Sequence, residues 1–169
     1  MRSWQAASFS GLPAQIAVTQ GILESKGLNG EFIACESGPA NAAALIAGEV
    51  EFVGNTPHNM LGIRNADFDV VMFAQVLDKH FFDIVVSNNF GEIACDPGDW
   101  VCVMTALDGA NVGVVARGAA AEQIARQLLE SAGLDPDGST YIATGLSGTT
   151  LAALASGEAG LWSSSLIQP

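Results

Sequence analysis

Positively charged residues are scarce in this chain. Its 169 residues include six lysines and arginines against eighteen aspartates and glutamates, which gives a formal net charge of −12 at pH 7. A protein that binds a nucleic-acid backbone or an anionic membrane needs a basic surface to attract phosphates. The shortage therefore argues against nucleic acid as a partner and favours a small molecule or another protein.

Long hydrophobic runs are missing as well. A membrane-spanning helix requires about 18 consecutive apolar residues, and no window of the sequence approaches that length. The first residues, MRSWQAASFSGLPAQ, also lack the apolar centre of a signal peptide. As written, the sequence predicts neither a membrane anchor nor an export signal.

Cysteine and histidine are too few for the common metal sites. Cys95 and Cys102 flank the stretch DPGDWV, so they either form a surface disulfide in an oxidising compartment or remain free as small hydrophobic side chains. The free state is the favoured interpretation. Two isolated histidines, His58 and His80, give no zinc spacing, and we predict no metal and no cofactor.

Hydrophobic residues and glycine are plentiful, and the sequence repeats itself. The chain is 49% hydrophobic with 19 glycines, which is typical of a packed core with tight loops. AALIAGE at 43–49 returns as AALASGE at 152–158, an offset of 109 (152 minus 43), and ILESKGL at 22–28 returns as LLESAGL at 128–134. Alanine-rich helices that end in glycine are common, but the repeated order favours two pseudosymmetric lobes.

The two copies predict the same order of elements, β-α-β-α-β. Such alternation is typical of an α/β protein with a mainly parallel sheet in each lobe. A strand at 83–87 would lead from a first lobe at 1–87 to a second at 88–169. The offset is 108 at Ile16 and Ile124 and 106 at Leu23 and Leu129, so it changes by two residues inside the first helix. The predicted strands are 4–8, 31–35, 50–54 and a further one at 69–75 in the first lobe, then 111–116, 140–144 and 159–162 in the second.

Candidate binding residues follow the carboxyl ends of the predicted strands, where open parallel sheets bind ligands. Most are small hydroxyl, amide or glycine residues that expose short donors and backbone N–H groups. Capping of the following helices explains each of these loops equally well. The candidates are Ser8, Phe9, Ser10, Ser37, Gly38, Asn55, Thr56, His58, Gln75, Arg117, Gly118, Ala119, Ser147, Thr149 and Trp162.

Three of these candidates have specific alternatives. Arg117, between a strand and a helix, either pairs with an anionic ligand group or is a solvated loop arginine. Trp162 either stacks on a ligand or closes the core of its lobe, and core is favoured. His58 follows Pro57 in what we interpret as a rigid loop, and a cap or contact role is favoured over catalysis because no carboxylate lies nearby in sequence.

The common enzyme motifs are absent. GLSGT at 145–149 is not G-x-S-x-G, because Thr149 replaces the last glycine, and no G-x-x-x-x-G-K occurs. Cys35 and His58 are the only plausible nucleophile and base for an enzyme with this organisation. The sequence therefore favours binding over catalysis.

Four stretches resemble the NMT1/THI5-like set of periplasmic substrate-binding proteins of ABC transporters. They are LPAQIAVTQGILESKGL, SGPANAAALIAGEVEFVGNTP, ALDGANVGVVARGAAAEQIARQLLESAGLDPD and LAALASGEAGLWSSSLIQP. The resemblance covers most of the chain and lies in the order and spacing of these stretches. It implies a type II periplasmic binding protein fold, with two doubly wound lobes joined by a hinge and a second lobe that is incomplete here.

The resemblance also implies a function. Members of this set capture sulfonates, taurine, nitrate or thiamine precursors in a cleft between the lobes and deliver them to membrane permease subunits. We therefore expect a periplasmic or extracytoplasmic binder of a small anionic solute, monomeric when complete and represented here by a fragment. Some relatives act in thiamine-pyrimidine synthesis or carbon–sulfur bond cleavage, so a same-fold enzyme is the alternative, and a purely sensory domain is a third hypothesis.

Overall fold

The structure is a computed structural model that describes residues 2–6, 9–35, 37–78, 82–145 and 148–165, with side chains at 10–35, 37–78, 82–145 and 148–160. It divides into two compact units between residues 80 and 81. The first unit contains β1 (Arg2–Ala6), α1 (Leu12–Thr19), α2 (Ile22–Ser25), β2 (Glu31–Cys35), α3 (Gly38–Ile46), β3 (Phe52–Val53) and α4 (Pro57–Asn65). The second contains β4 (Phe82–Val86), α5 (Trp100–Ala106), β5 (Asn111–Val114), α6 (Ala120–Ser131), β6 (Thr140–Ala143), α7 (Gly148–Ser156) and β7 (Leu161–Ser165).

The sheets of the two units have matching orders. The first sheet runs β2-β1-β3 and is parallel throughout. The second runs β4-β7-β5-β6, with parallel pairing of β5 to β6 and to β7. The central strand is thus the first of each β-α-β-α-β copy, which confirms the predicted α/β organisation of both copies.

β4 belongs to the sheet of the second unit. It pairs antiparallel with β7, from Phe82 opposite Ser165 to Val86 opposite Leu161. The division of the chain therefore falls ahead of this strand, whereas the predicted boundary between 87 and 88 falls behind it.

The predicted strand at 69–75 is wrong. These residues have no strand conformation, and Val71 and Phe73 are 74% and 75% exposed. The ring of Phe73 packs edge-on against Phe52 of β3, with centroids 5.6 Å apart. An apolar run forms a strand only where a neighbouring strand accepts its hydrogen bonds, and none does so here among the described residues.

The core of the second unit lies around β5. Val112 and Val114 of this strand are fully buried against α6, whose Ala121, Ala125 and Leu129 recur every four residues on one face. A smaller cluster formed by Ala153, Leu154 and Ala159 packs under α7. Among the helices of the described residues, none is long and apolar enough to cross a membrane.

The sequence repeat corresponds to a structural repeat in α3 and α7. Positions 109 residues apart have the same environment: three pairs are buried, and one pair of glycines has positive φ just past the helix end. The pairs are Asn41 and Thr150, Ala44 and Ala153, Val50 and Ala159, and Gly48 and Gly157.

The two-residue change of offset has a structural cause. In the first unit the helix is interrupted between α1 and α2 at Gln20 and Gly21, where Gly21 adopts φ 66°. The corresponding helix of the second unit, α6, runs without interruption from Ala120 to Ser131. The extra residues therefore form the break. The second copy is then longer by three residues between Leu134 and Thr140 than the first between Leu28 and Glu31, which brings the offset to 109.

The state of two cysteines in the second unit differs from the favoured interpretation. Cys95 and Cys102 are joined by a disulfide, so the expectation of free thiols at these positions is wrong. Asp99 caps the first turn of α5, its Oδ1 accepting from the N–H of Cys102, and this turn brings the two cysteines together. Sequence spacing alone did not show that turn.

Candidate functional site

Four candidate residues of the first unit, Ser37, Gly38, Asn55 and Thr56, lie where β2 and β3 lead into α3 and α4. Ser37 is the N-cap of α3, and its Oγ accepts a hydrogen bond from the N–H of Ala40 at 3.3 Å. Thr56 is the N-cap of α4 but makes no capping bond with its side chain. Because the parent strands belong to one parallel sheet, both helices begin at its carboxyl edge.

Three asparagine side chains link the beginnings of α3 and α4, and we call them the amide clamp: Asn41, Asn55 and Asn59. Asn41 donates through Nδ2 to the carbonyl of Gly54 at 3.0 Å, and Asn55 donates through Nδ2 to the carbonyl of Gly38 at 2.8 Å. Each helix beginning thus holds the other by a side-chain amide.

The rest of the clamp is formed by Asn55. Its Oδ1 accepts from the N–H of Thr56 at 2.9 Å and from Nδ2 of Asn59 at 2.7 Å. Gly38 packs so closely on these amides that an added Cβ would overlap Nδ2 of Asn59 and Oδ1 of Asn55. The absence of a side chain at Gly38 is therefore required by the clamp.

Two buried side-chain oxygens beside the clamp have no hydrogen-bond partner in the described part of the chain. They are Oδ1 of Asn41, a residue that is 1% exposed, and Oγ1 of Thr56. An unpaired buried oxygen costs about 1–3 kcal/mol, so such atoms are uncommon in stable cores. Both belong to, or contact, the loop from Gly54 to Thr56.

Three candidate residues of the second unit, Arg117, Gly118 and Ala119, lie in the loop between β5 and α6, which is held by the carboxylate of Glu122. Glu122 is buried, and its Oε2 accepts from the N–H of Gly118 at 2.8 Å. Its Oε1 lies 3.1 Å from Nη2 of Arg117 and 3.2 Å from Nε of Arg126. A glutamate in the first turn that reaches back to a preceding N–H resembles half of a capping box, with Ala119 as the N-cap.

Arg117 is therefore already paired. Besides Glu122, it donates through Nη1 to the carbonyl of Tyr141 at 2.8 Å, although its side chain remains 55% exposed. The role of Arg117 in binding a ligand stays a prediction, and the carboxylate of Glu122 already offsets its charge.

The same network extends to Tyr141. The guanidinium of Arg126 lies 4.3 Å from the centre of its ring and pairs with Asp137 at 2.7 Å, a contact that raises the pKa of Arg126. Burial raises the pKa of Tyr141, whose hydroxyl donates to the carbonyl of Pro136 at 2.9 Å. These contacts fix the start of β6 beside the loop.

The loop between β6 and α7 is held by hydroxyl groups. Thr150, also 1% exposed, donates to the carbonyl of Gly145 at 3.0 Å and lies 3.2 Å from Oγ1 of Thr144. Oγ1 of Thr144 in turn lies 3.3 Å from the carbonyl of Val114. Thr150 thus occupies the position of Asn41 in the other copy, but its oxygen has partners.

Other predicted residues have separate locations. His58 lies exposed in the first turn of α4, so the interpretation of this stretch as a loop is wrong. Gln75 does not end a strand, and its Nε2 donates to the carbonyl of Leu77 at 2.7 Å. Ser10 is half-buried in the short 3-10 helix before α1, and Thr149 is exposed in α7. Ser8, Ser147 and the side chains of Phe9 and Trp162 lie outside the described residues.

The pair required by an enzyme is not joined by a hydrogen bond in the described part of the chain. Cys35 is buried, and its thiol lies 3.7 Å from the carbonyl of Ser37, whereas His58 is exposed. Within the same residues, no three His, Cys, Asp or Glu side chains are grouped as metal ligands.

Sequence reasoning missed Asn41, Asn59 and Glu122. Asn41 is the one polar side chain in the stretch PANAAALIAG, and this placement on an apolar helix was a usable signal. Glu122 stands three residues after Ala119, the spacing of a capping box, but without the serine or threonine that usually marks one. Asn59 gave no signal, because its role depends on its contact with Asn55.

Comparison with known proteins gives a family and a fold. The NMT1/THI5-like family model matches residues 9–165. No curated protein sequence matches the chain.

Solved structures with this fold include two sulfonate binders and one phosphonate complex. The alkanesulfonate-binding protein SsuA from Xanthomonas axonopodis pv. citri has a TM-score of 0.66 at 18% identity, covering 96% of this chain and 53% of that one. The periplasmic aliphatic sulphonate binding protein SsuA from Escherichia coli has 0.65 at 16%, covering 96% and 52%. PhnD1 from Prochlorococcus marinus in complex with methylphosphonate has 0.72 at 12%, covering 96% and 62%. The chain spans about half of the two SsuA structures, and its fold is that of type II periplasmic binding proteins.

Proposed function

We propose, from the premise that the chain belongs to the NMT1/THI5-like family, that it is part of a solute-binding component of an ABC import system. The proposed solute is a small organic oxyanion of the sulfonate or phosphonate type. The proposed setting is extracytoplasmic, and the proposed partner is a membrane permease.

The observation that carries the proposal is the pairing of two helix N-termini in the first unit. α3 and α4 each have nine residues and begin at the carboxyl edge of one sheet, linked by the amide clamp. A helix N-terminus carries a partial positive charge and unpaired N–H groups, and both favour an anion. Oγ of Ser37 already accepts from Ala40, so its hydroxyl proton remains to donate to a solute oxygen.

We expect uncharged protein groups to make the main contacts with the solute. In the second unit Arg117 is compensated by Glu122, so its charge adds little to the attraction of an anion. Neutral donors at the helix N-termini of the first unit would then provide the main contacts, with Ser10, Ser37 and Gly38 as proposed contributors. The other predicted binding residues remain predictions: Ser8, Phe9, Asn55, Thr56, His58, Gln75, Gly118, Ala119, Ser147, Thr149 and Trp162.

Two further observations support this proposal. The SsuA proteins bind sulfonates and PhnD1 is in complex with methylphosphonate, which are all tetrahedral oxyanions on a small organic group. The Cys95–Cys102 disulfide fits an oxidising extracytoplasmic compartment, where such bonds persist.

The test is isothermal titration calorimetry with methanesulfonate, taurine, methylphosphonate and nitrate, and with arginine as a cationic comparison. We expect binding of a sulfonate or of methylphosphonate, and a loss of about tenfold in affinity for Ser37→Ala because a hydrogen bond to a charged group is lost. Ser25→Ala is the matched control, since Ser25 is exposed in α2 and bonds only locally to Ile22. If none of the anions binds, the proposed solute class is wrong.

A further inference from the structure

The amide clamp suggests a role for a residue that the proposed site does not include. Asn41 lies within α3, one turn after its N-cap, and is 1% exposed. At that depth it cannot be a surface contact, and its neighbours in sequence are alanines. Its effect on a solute must therefore pass through the groups that it holds.

The orientation of the Asn41 amide is fixed by chemistry. Its partner is the carbonyl of Gly54, which can only accept, so the nitrogen faces Gly54 and the oxygen is the unpaired atom. The oxygen of this amide and Oγ1 of Thr56 are thus two buried oxygens without a partner in the described chain, one on the residue that bonds to Gly54 and one within the loop of 54–56.

This arrangement is unfavourable for stability alone. At the equivalent position in α7, Thr150 is equally buried but its hydroxyl is bonded to Gly145 and lies beside Thr144. An alanine in place of Asn41 would remove the unpaired oxygen and match the rest of the helix, but it would also remove the hydrogen bond to the carbonyl of Gly54. Sites that break the rules of core packing in this way are commonly functional.

We infer that Asn41 is a positioning residue of the candidate site, which holds the loop of 54–56 so that the N-termini of α3 and α4 present their N–H groups together. The inference rests on the proposed function. Asn55 acts with it, because its Nδ2 and Oδ1 are both engaged within the clamp, by Gly38 on one side and by Thr56 and Asn59 on the other. Asn55, predicted as a solute contact, is in this proposal a second positioning residue.

The first experiment needs no solute. Hydrogen exchange is measured for the wild type, Asn41→Ala and the control Asn65→Ala, which makes the same chemical change at the exposed end of α4. We expect Asn41→Ala to speed exchange about tenfold at residues 54–60 and to leave α6 unchanged, as the loss of one buried hydrogen bond would do locally. Equal acceleration in both units, or none, would overturn the inference.

The second experiment measures affinity for methanesulfonate and methylphosphonate in Asn41→Ala, Asn55→Ala and the double variant. A clamp that works as one device predicts about tenfold weaker binding in each single variant and little further loss in the double. Losses that multiply, or unchanged affinity with a loosened loop, would contradict a positioning role.

Gly38→Ala provides an independent variant should the asparagine variants fold poorly. Its methyl group would displace the amides of Asn55 and Asn59, and we expect the same local acceleration of exchange and weaker binding. If the wild type binds none of the anions tested for the proposed function, the proposed solute class is wrong, and hydrogen exchange alone decides whether Asn41 holds the loop.

Discussion

The two units fasten equivalent loops with opposite kinds of chemistry. In the first, neutral amides join the beginnings of α3 and α4, and two buried side-chain oxygens have no partner among the described residues. In the second, a buried carboxylate gathers one backbone N–H and two guanidinium groups before α6. The charge of Arg117 in the second unit is paired within the protein. Among the described residues, one buried side-chain oxygen of that unit, Oγ of Ser139, has no partner, whereas the first unit has two, on Asn41 and Thr56. Under the proposed function, the difference favours the loops of the first unit as the ones that contact the solute.

Replacing Glu122 tests whether the charged network holds the loop before α6. Replacement by alanine leaves Arg117, Arg126 and the N–H of Gly118 without their shared acceptor. Removing one partner of a buried ion pair is costly, and the exposure of Arg117 moderates the loss, so we expect Glu122→Ala to lower the free energy of unfolding by about 3 kcal/mol. Urea unfolding measures it.

The matched control is Glu130→Ala, an exposed glutamate on the same helix. Its effect should stay within about 0.5 kcal/mol. If Glu122→Ala were equally mild, the loop before α6 would not depend on its carboxylate, and the contrast between the units would disappear.

The second unit also contains a disulfide, between Cys95 and Cys102. Replacing both Cys95 and Cys102 by alanine removes a constraint on the unfolded chain, and we expect a loss of about 2 kcal/mol for so short a loop. Thermal unfolding with and without a reductant checks this. The reductant should lower the melting temperature of wild type and leave the double variant unchanged; an unshifted wild type would contradict the prediction.

The smallest expected effect concerns the helix break that distinguishes the first copy from the second. Gly21 has positive φ, which a side chain strains, so Gly21→Ala should cost about 1 kcal/mol. Gly62 lies exposed inside α4 with open space around it, and Gly62→Ala should stabilise by about 0.5–1 kcal/mol. Denaturant midpoints compare the two. Equal signs would mean that the break does not depend on the conformation of Gly21.

The features predicted correctly from the sequence are those that depend on local patterns of residues. The strand at 31–35, the helix ends at Gly48 and Gly157 and the shared β-α-β-α-β order follow from apolar runs and glycines, and they are confirmed. The sequence repeat was the strongest of these signals, because the paired positions of α3 and α7 share burial as well as similar residue types.

The predictions that were wrong, and the contacts that were missed, depend on residues outside the local sequence pattern. The run at 69–75 has the composition of a strand but not the neighbouring strand that would pair with it. α4 begins at Pro57 and was interpreted as a loop, because Thr-Pro-His-Asn carries no helical periodicity. The pairing of Arg117 with Glu122 and of Asn41 with Gly54 joins residues on different elements or turns, so no pattern of spacing could establish either.

The disulfide has one further consequence, for chemical labelling. With Cys95 and Cys102 joined, Cys35 is the only free thiol of the three cysteines, and it is buried at the end of β2 beside the cap of α3. A maleimide can reach that sulfur only when the strand end opens. The rate of its reaction therefore reports motion at the edge where the solute is proposed to bind, without any engineered cysteine, and a bound solute that closes this edge would slow it.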